Sequence, residues 1–588
     1  MSNVDKYLGL KINPAKNGKR EREVAIIGVG HTPWLLAHKD PEWEGTTEPE
    51  MFAIAALDAM DDAGLTGKDI DAFTYAQLFN ATSDTINANV AVQNWIGMRG
   101  KESYHIESAC TSPGAAFEAA CDMVASGKHD VVLAGGVDIA QSRPISNNPA
   151  CFREPQAAAD LNAVAGIRWQ DNAYTRFQTD EGRIMMEGYA YNYMLEYGLT
   201  PQDIEDAFLG INISDSRSAA ACGEGIFKKS YVEMAEEAGQ DVWEYLKAPT
   251  NPLIANFVHA SGTSKYADGA AAVIVTTVDK AREWSKKTGR PAIWVRGTAY
   301  CNVEHVHPFN LEEMNKECWR LLQERTGVKS EEIDALQTPS FMVPENLSFV
   351  QQIGFIPEGK AHEYFRDGRT AFDGDRPINT CGGTQCYGHV YGAGGLMMID
   401  EAVRQFRGEA GAHQMKDLPY VQLVRAQGGA QGTNMILLET LDHTPNTNPR
   451  ERKTPGPRRF VKTYYDALEE GKLLGSKCPA CGNIEFFPYY SCSECGNHDL
   501  ELVELSGEGE LECFTTTKGA TAPLAGELGP YVMGVIKLKE GPRVNAAVVG
   551  LDVSDPAAAY AKMPAPVKVK IVQFKEANYK RIIWEVVE

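Results

Sequence analysis

Short apolar runs that end in glycine alternate with stretches of helical period along the first three quarters of the chain. Residues 23–30 (EVAIIGVG) read as a buried strand, and 51–64 (MFAIAALDAMDDAG) as a helix stopped by its last glycine. Residues 103–136 read as strand, tight turn at Cys110, alanine-rich helix and a second buried strand (VVLAGG). This alternation predicts a mostly parallel sheet flanked by helices. From about 140 to 255 the pattern is less regular. A helix around 187–198 (EGYAYNYMLEYG) stands among segments that read as loops, an insertion suited to capping a site. Strands return at 266–276 (YADGAAAVIVT) and 291–300 (PAIWVRGTAY).

The later part repeats the earlier logic. Residues 377–406 read as a strand end, a glycine-rich turn and a helix, and 421–440 as two strands around a glycine-rich turn. Two halves with the same order of parts predict a duplicated α/β domain, 21–275 (with the insertion at about 140–255) and 276–440. Residues 441–458 are proline-rich, polar and aperiodic, a linker. A short amphipathic helix and a cysteine-rich stretch fill 459–500. Five short strands in 501–588 (GELECFTTT, YVMGVIKL, RVNAAVVG, VKVKIVQF, RIIWEVV) predict a small closed barrel of the OB type.

Composition narrows the function classes. A chain of 588 residues exceeds one compact core, and its 43% hydrophobic and 23% charged content suits a soluble globular protein. A formal net charge of −22 argues against nucleic-acid binding, as does the lack of a basic, aromatic-rich face on the barrel strands. The beginning carries no apolar core of a signal peptide, and no run of about 18 apolar residues spans a membrane. Thirteen cysteines, an odd number, fit a reducing compartment, so a cytoplasmic location is expected.

Four of those cysteines form a pattern. Cys478, Cys481, Cys492 and Cys495 make two CxxC knuckles, CPAC and CSEC, separated by ten residues. Each knuckle turns two thiolates toward one ion, so the spacing predicts a closed, structural zinc site. A closed four-sulfur site is seldom catalytic, and the chemistry is sought upstream.

Cys110 (ESACTSPGAA) lies at a strand-to-helix turn, where a helix N-terminus favours a thiolate, lowers its pKa and offers backbone N–H groups to an oxyanion. The alternative is a buried cysteine acting as a small hydrophobe. His389 (YGHVYGAGG) sits at a glycine-rich turn before a helix, a place for a general base or for a structural histidine. The turn AQGGAQG (426–432) presents backbone N–H groups but lacks the lysine and spacing of a P-loop.

Taken together, ESACTSPGAA, VVLAGGVD, SKYADGAAAVIV and YGHVYGAGG resemble the thiolase superfamily in order and spacing, most nearly its sterol-carrier-type and archaeal branch. The resemblance covers roughly 21–440. The tail, from about 459 to 588, resembles the zinc-ribbon plus OB-fold accessory proteins that partner such thiolases, often as separate chains. It implies a duplicated thiolase fold, layered α/β/α/β/α, then a zinc ribbon and an OB barrel. It also implies a homodimer, structural zinc and an acyl-CoA substrate. Cys110 would take an acyl group from a CoA thioester or attack a β-keto thioester. His389 matches the histidine of the family's GHP turn, with Val390 in place of proline, and would activate Cys110. Backbone N–H groups of Cys110 and Gly428 would form the other oxyanion site.

Two departures from the family pattern bear on the chemistry. Its second cysteine, which removes the α-proton in Claisen condensation, would fall near Ala426. Its Asn or His before Phe falls in LQTPSF (336–341), where Gln337 can donate a hydrogen bond but is no base. Candidate substitutes are His305 and His307, or Tyr387 and Tyr391 beside His389, each with a structural role as the alternative. Three readings follow: an acyltransferase working through acyl-Cys110, an aldolase acting on a β-hydroxyacyl-CoA, and a carrier that has lost catalysis. Trp169, Phe177, Tyr189, Tyr191 and Tyr193 of the insertion are candidates for an acyl pocket, with helix core preferred. Basic residues from Arg450 to Arg459 are candidates for the CoA phosphates, with a solvated linker preferred.

Overall fold

Val24–His31 is the strand β1, buried along its whole length. Helix α1 (Glu48–Ala63) follows, started by a capping box between Thr47 and Glu50 and stopped by Gly64 in the left-handed region. The first half continues with β2 (Ala72–Ala76), β3 (Glu102–Ile106), α2 (Ser112–Ala125) and β4 (Val131–Ile139). Helices α3 (Glu181–Tyr197) and α4 (Pro201–Cys222) precede β5 (Asp268–Thr277). The second half holds β6 (Ile293–Asn302), α5 (Asn310–Thr326), β7 (Ala335–Gln337), α6 (Val343–Gln352), α7 (Gly394–Arg407), β8 (Val421–Gly428) and β9 (Gly432–Thr440). In this computed structural model the described residues are 20–78, 87–139, 144–145, 148–152, 181–302, 310–340, 342–428, 432–451, 453–516, 524–575 and 577–587.

These strands form one nine-stranded sheet in the order β3-β2-β4-β5-β1-β6-β9-β8-β7. Each half has the same internal order, because Ile378 bridges Leu336 of β7 in parallel where β3 flanks β2 in the first half. The halves meet where β1 pairs with β6. The expected mostly parallel sheet is corrected to a mixed one. Among the described strand pairs of this sheet, only β2–β3, β2–β4 and β7–β8 run parallel. The joins β4–β5, β1–β5, β1–β6, β6–β9 and β8–β9 are antiparallel. The reason is local: only three residues separate β8 from β9, too few for the helical crossover that a parallel pair needs.

Helices α2 and α7 pack on each other and on strands of both halves, forming the central layer. Gly114 and Gly395 permit this, since a Cβ on either would lie 2.6 or 2.7 Å from the Cβ of Ala426. Helix α4 is the main element missed by pattern reading. Its serine- and aspartate-rich sequence has weak helical signal. Its start is nonetheless written in the chain, as Thr200 and Asp203 form a capping box with proline in the first turn. Ile204, Ala207, Phe208 and Ile211 then bury one face in the second core cluster.

Beyond the linker, helix α8 (Phe460–Glu469) leads to a three-stranded sheet of β10 (Leu473–Lys477), β11 (Ile484–Glu485) and β12 (Glu501–Leu505). The last five strands are β13 (Glu508–Thr516), β14 (Val532–Leu538), β15 (Arg543–Val549), β16 (Ala565–Val572) and β17 (Arg581–Val586). They close into a barrel in the order β13-β14-β15-β17-β16, which leaves no free edge. Helix α8 serves two cores. Phe460 joins the cluster under α1, while Tyr464 and Leu468 join the barrel cluster.

The linker lies on the surface yet is pinned to the body at several points. Asn446 Nδ2 donates to Arg407 O at 2.8 Å, Thr447 Oγ1 to Gly289 O at 3.0 Å, and Thr454 Oγ1 to Glu224. Arg450 pairs with the buried Asp62 at 3.3 Å, while Arg458 and Arg459 donate to the carbonyls of His498 and Pro41. It is a strap held to the body, and Arg450, Arg458 and Arg459 are engaged by protein groups.

Candidate active site

Cys110 sits between β3 and α2 on a turn that reverses sharply. Ala109 takes φ +49°, a left-handed conformation that costs a non-glycine residue energy. Local hydrogen bonds hold it there: Thr111 N–H to Ser108 O and Ser112 N–H to Ala109 O, both 3.0 Å, and Ser112 Oγ to Ala109 O, 2.6 Å. The turn is also fastened to the second half. Ser108 Oγ lies 2.6 Å from Tyr300 Oη, and Thr111 Oγ1 donates to Gly432 O at 3.0 Å.

The second turn reaches the same place from the other half. Gly388, at φ +132°, makes a reversal closed to other residues and delivers His389. His389 N–H donates to Lys265 O at 2.6 Å, and Ala267 N–H returns to His389 O at 3.0 Å. The imidazole Nε2 then lies 3.3 Å from Cys110 Sγ. Asp138, at the end of β4, accepts Gly392 N–H at 2.5 Å and ties the turn to the first half. The tyrosine rings of Tyr266 and Tyr391 flank the imidazole at 5.7 and 5.1 Å and lie 5.1 Å from each other. With Leu78 they form an apolar cluster against which Ala109 and Cys110 pack.

This setting corrects the expected thiolate. Burial pushes the Cys110 thiol well up, and the carboxylates of Asp138, Glu345 and Glu107 push it further. Burial holds His389 down at about 4. Both shifts oppose a standing thiolate–imidazolium pair. Cys110 and His389 are arranged for proton transfer during attack rather than for a standing ion pair.

The remaining candidates separate. Tyr391 is at the site, but Tyr387 Oη points to His31 Nε2 at 3.2 Å. Gln337 is buried in β7, donating to Thr380 Oγ1 at 2.8 Å and accepting Thr380 N–H at 3.2 Å, so it is a strut of the second half. Ala426 is a buried methyl in the central layer. Gly428 ends β8 opposite Gly432, the residue that Thr111 grips. Tyr189 and Tyr193 lie in the second core cluster and Tyr191 is exposed. His305, His307, Trp169 and Phe177 fall outside the described residues. Pattern reading missed Asp138, Tyr266 and Tyr300, although Tyr266 stands inside the quoted motif SKYADG.

Near the turn lies a buried ion pair. Arg425 Nη2 meets Glu345 Oε1 at 2.5 Å and Pro339 O at 2.9 Å, with its guanidinium 3.9 Å over the Phe349 ring.

The zinc-type cysteines converge as their spacing requires. All four Sγ atoms lie within 4.8 Å of one another, with Cys478–Cys495 at 3.5 Å and Cys481–Cys492 at 3.6 Å. A tetrahedron with bonds of about 2.3 Å has edges of about 3.8 Å, so the donor set fits zinc. Asn497 and Asn483 donate to the sulfurs of Cys478 and Cys492 at 3.5 and 3.6 Å, orienting them from outside.

Family comparison agrees with this geometry. Residues 24–279 match the thiolase N-terminal domain and 320–439 the thiolase C-terminal domain-like family. Residues 466–501 match the ChsH2 rubredoxin-like zinc ribbon and 502–572 the ChsH2 C-terminal OB-fold domain. The chain belongs to the thiolase superfamily. Its thiolase body is fused to a ChsH2-type ribbon and barrel. It is 25% identical over 426 residues to an acetyl-CoA acetyltransferase of Methanothermobacter thermautotrophicus, covering 71% of this chain and 98% of that protein. It is 26% identical over 431 residues to the 17-hydroxy-3-oxo-4-pregnene-20-carboxyl-CoA lyase of Mycobacterium tuberculosis, covering 71% and 99%. Among solved structures, the Ltp2-ChsH2(DUF35) aldolase shares the thiolase fold at a TM-score of 0.54 and 20% identity, over 71% of this chain and 98% of that one. No helix among the described residues is long and apolar enough to cross a membrane.

Proposed function

We propose that this thiolase-fold enzyme is an acyl-CoA acyltransferase that makes or cleaves a carbon–carbon bond through acyl-Cys110. The observation that carries the reading is the 3.3 Å contact between His389 Nε2 and Cys110 Sγ, made across the two halves. As Cys110 sulfur attacks a thioester carbonyl, His389 accepts the thiol proton and the carbonyl oxygen gains the negative charge. Backbone N–H groups of Cys110 and Gly428 hold that oxyanion. Collapse breaks the bond to CoA sulfur, which leaves with the proton held by His389. The acyl group remains on Cys110 for transfer to the second substrate. Zinc in the ribbon contributes folding and docking of the tail, with no bond chemistry.

A second reading, a retro-aldol cleavage of a β-hydroxyacyl-CoA, is favoured by one feature of the site. The methyl of Ala426 offers no base, whereas the adjacent tyrosines Tyr266 and Tyr391 lie beside His389. The lyase relative is in keeping with it. A homodimer suits the fold, since β3 stands at an open edge of the sheet with Tyr104 exposed. We place the protein in the cytoplasm on its cysteine usage.

The deciding experiment is mass spectrometry of the Cys110 peptide after exposure to a panel of acyl-CoAs, with His389→Ala in parallel. Acyl mass on Cys110 in the native protein, strongly slowed in the variant, supports acyl transfer. Release of an aldehyde or ketone from β-hydroxyacyl-CoAs with no acyl-Cys110 supports the aldolase. Neither adduct nor carbonyl release, in a folded protein, returns the carrier reading.

A further inference from the structure

Outside the ribbon, two described thiols, Cys301 and Cys318, are brought to one face of the sheet. Cys301 lies near the end of β6, and its register partner in β9 is Thr433. Cys318 lies on α5, which packs across β6 and β9. Its Sγ reaches 3.1 Å from Ala299 O and 3.8 Å from Thr433 O. Ala299 and Cys301 share one face of β6, because side chains two apart in a strand point the same way. Cys318 is therefore seated against the face that presents Cys301, and both thiols pack in the same apolar cluster.

The two sulfurs differ in character. Cys318 is fully buried, whereas Cys301 keeps part of its surface open. The neighbouring Cys318 thiol lowers the pKa of Cys301, while burial pushes Cys318 well up. Burial also pushes up Cys110 and Cys121. Low pKa, access and an adjacent second thiol are the attributes of an oxidisable pair, with Cys301 attacking and Cys318 resolving.

We propose that Cys301 and Cys318 form a peroxide-oxidisable pair that closes to a disulfide joining β6 to α5. The Cys301 thiolate attacks the peroxide, breaking its O–O bond to give a sulfenic acid and, after protonation, water or an alcohol. The Cys318 thiol then displaces hydroxide from that sulfur and gives up its proton, releasing water as the S–S bond forms. The pair loses two electrons and two protons, and the peroxide is reduced. The location gives the modification a route to the catalytic turn. Tyr300, the neighbour of Cys301 on β6, hydrogen-bonds Ser108, two residues before Cys110.

The test uses the full zinc-loaded protein and hydrogen peroxide at a few equivalents. Remaining thiols are alkylated, and the digest is searched for the Cys301 and Cys318 peptides linked with loss of two hydrogens. We expect this linked species to accumulate before any adduct or oxidation of Cys110, and dithiothreitol to reverse it. Cys301→Ser abolishes the link, and Cys318→Ala leaves Cys301 to be trapped as sulfenic acid by dimedone, which reports the attacking thiol without a disulfide. Recovery of both peptides alkylated and unlinked, at peroxide levels that oxidise other thiols of the folded protein, overturns the proposal. The readout is mass alone and stands apart from the role proposed for Cys110.

Discussion

Tyr490 of the zinc ribbon donates a 2.9 Å hydrogen bond to Oε1 of Glu50, a buried carboxyl in the first turn of α1. The same oxygen accepts Val461 N–H from α8 at 3.1 Å, while Oε2 accepts both donors of Thr47 at 3.0 Å. One side chain therefore caps a helix of the thiolase body and docks the tail. Tyr490→Phe is expected to cost about 1–3 kcal/mol, the penalty for a buried acceptor losing a partner, seen in chemical denaturation as earlier release of the tail. An unchanged midpoint would remove Glu50 from the docking account.

The same carboxyl sets a pH dependence. Burial raises its pKa above 4.5, so the folded state holds the proton more tightly than the unfolded chain. Its contribution to stability is full below 4.5 and is lost as pH rises through the raised value. Glu50→Gln, which keeps the shape without the charge, should flatten that part of the stability-versus-pH curve.

Cys110 should be a slow nucleophile in the free enzyme. With its thiol pushed up by burial and His389 down at about 4, iodoacetamide labelling of Cys110 at neutral pH should trail that of exposed Cys513. His389→Ala is expected to slow acylation by roughly 10²–10⁴-fold, the range for losing a general base. Rapid labelling of Cys110 at neutral pH would instead indicate a standing thiolate.

Tyr391→Phe removes one phenol of the pair while keeping the ring beside His389. Acylation of Cys110 should stay within a few-fold of native, and the subsequent carbon–carbon step should fall by about 10²-fold if the pair handles its proton. Equal loss in both steps would mean that the ring is disturbed and the phenol is not used.

Removing zinc should undo the ribbon before the thiolase body. Metal binding in small isolated modules is worth on the order of 10 kcal/mol, so a strong chelator or Cys478→Ser should expose α8 and the strap to protease. The strap itself depends on Thr454. Thr454→Val leaves Glu224 with Arg404 and His31 but without its hydroxyl donor, and should speed cleavage within residues 441–458. Loss of the whole thiolase body on chelation would show that the two parts fold as one unit.

What the sequence determined by itself was whatever is encoded locally. Period and glycine stops define β1, α1 and α2. The two CxxC spacings define the metal cage, five short alternating strands the barrel, and the reactive turns their own residues. Capping chemistry at Thr200 also encoded α4, but weak helical propensity hid it. Tertiary structure decided what depends on distant partners. The mixed sheet follows from which strands meet, and the strap follows from Asp62 and Glu224, far away in sequence. Desolvation by packed neighbours reversed the expected ionisation of Cys110. The choice between Tyr391 and Tyr387, four residues apart, came from which way each ring leaves the Gly388 reversal. Burial and long-range contact are properties of the folded solid, and a linear pattern carries them only where each segment meets its partner nearby.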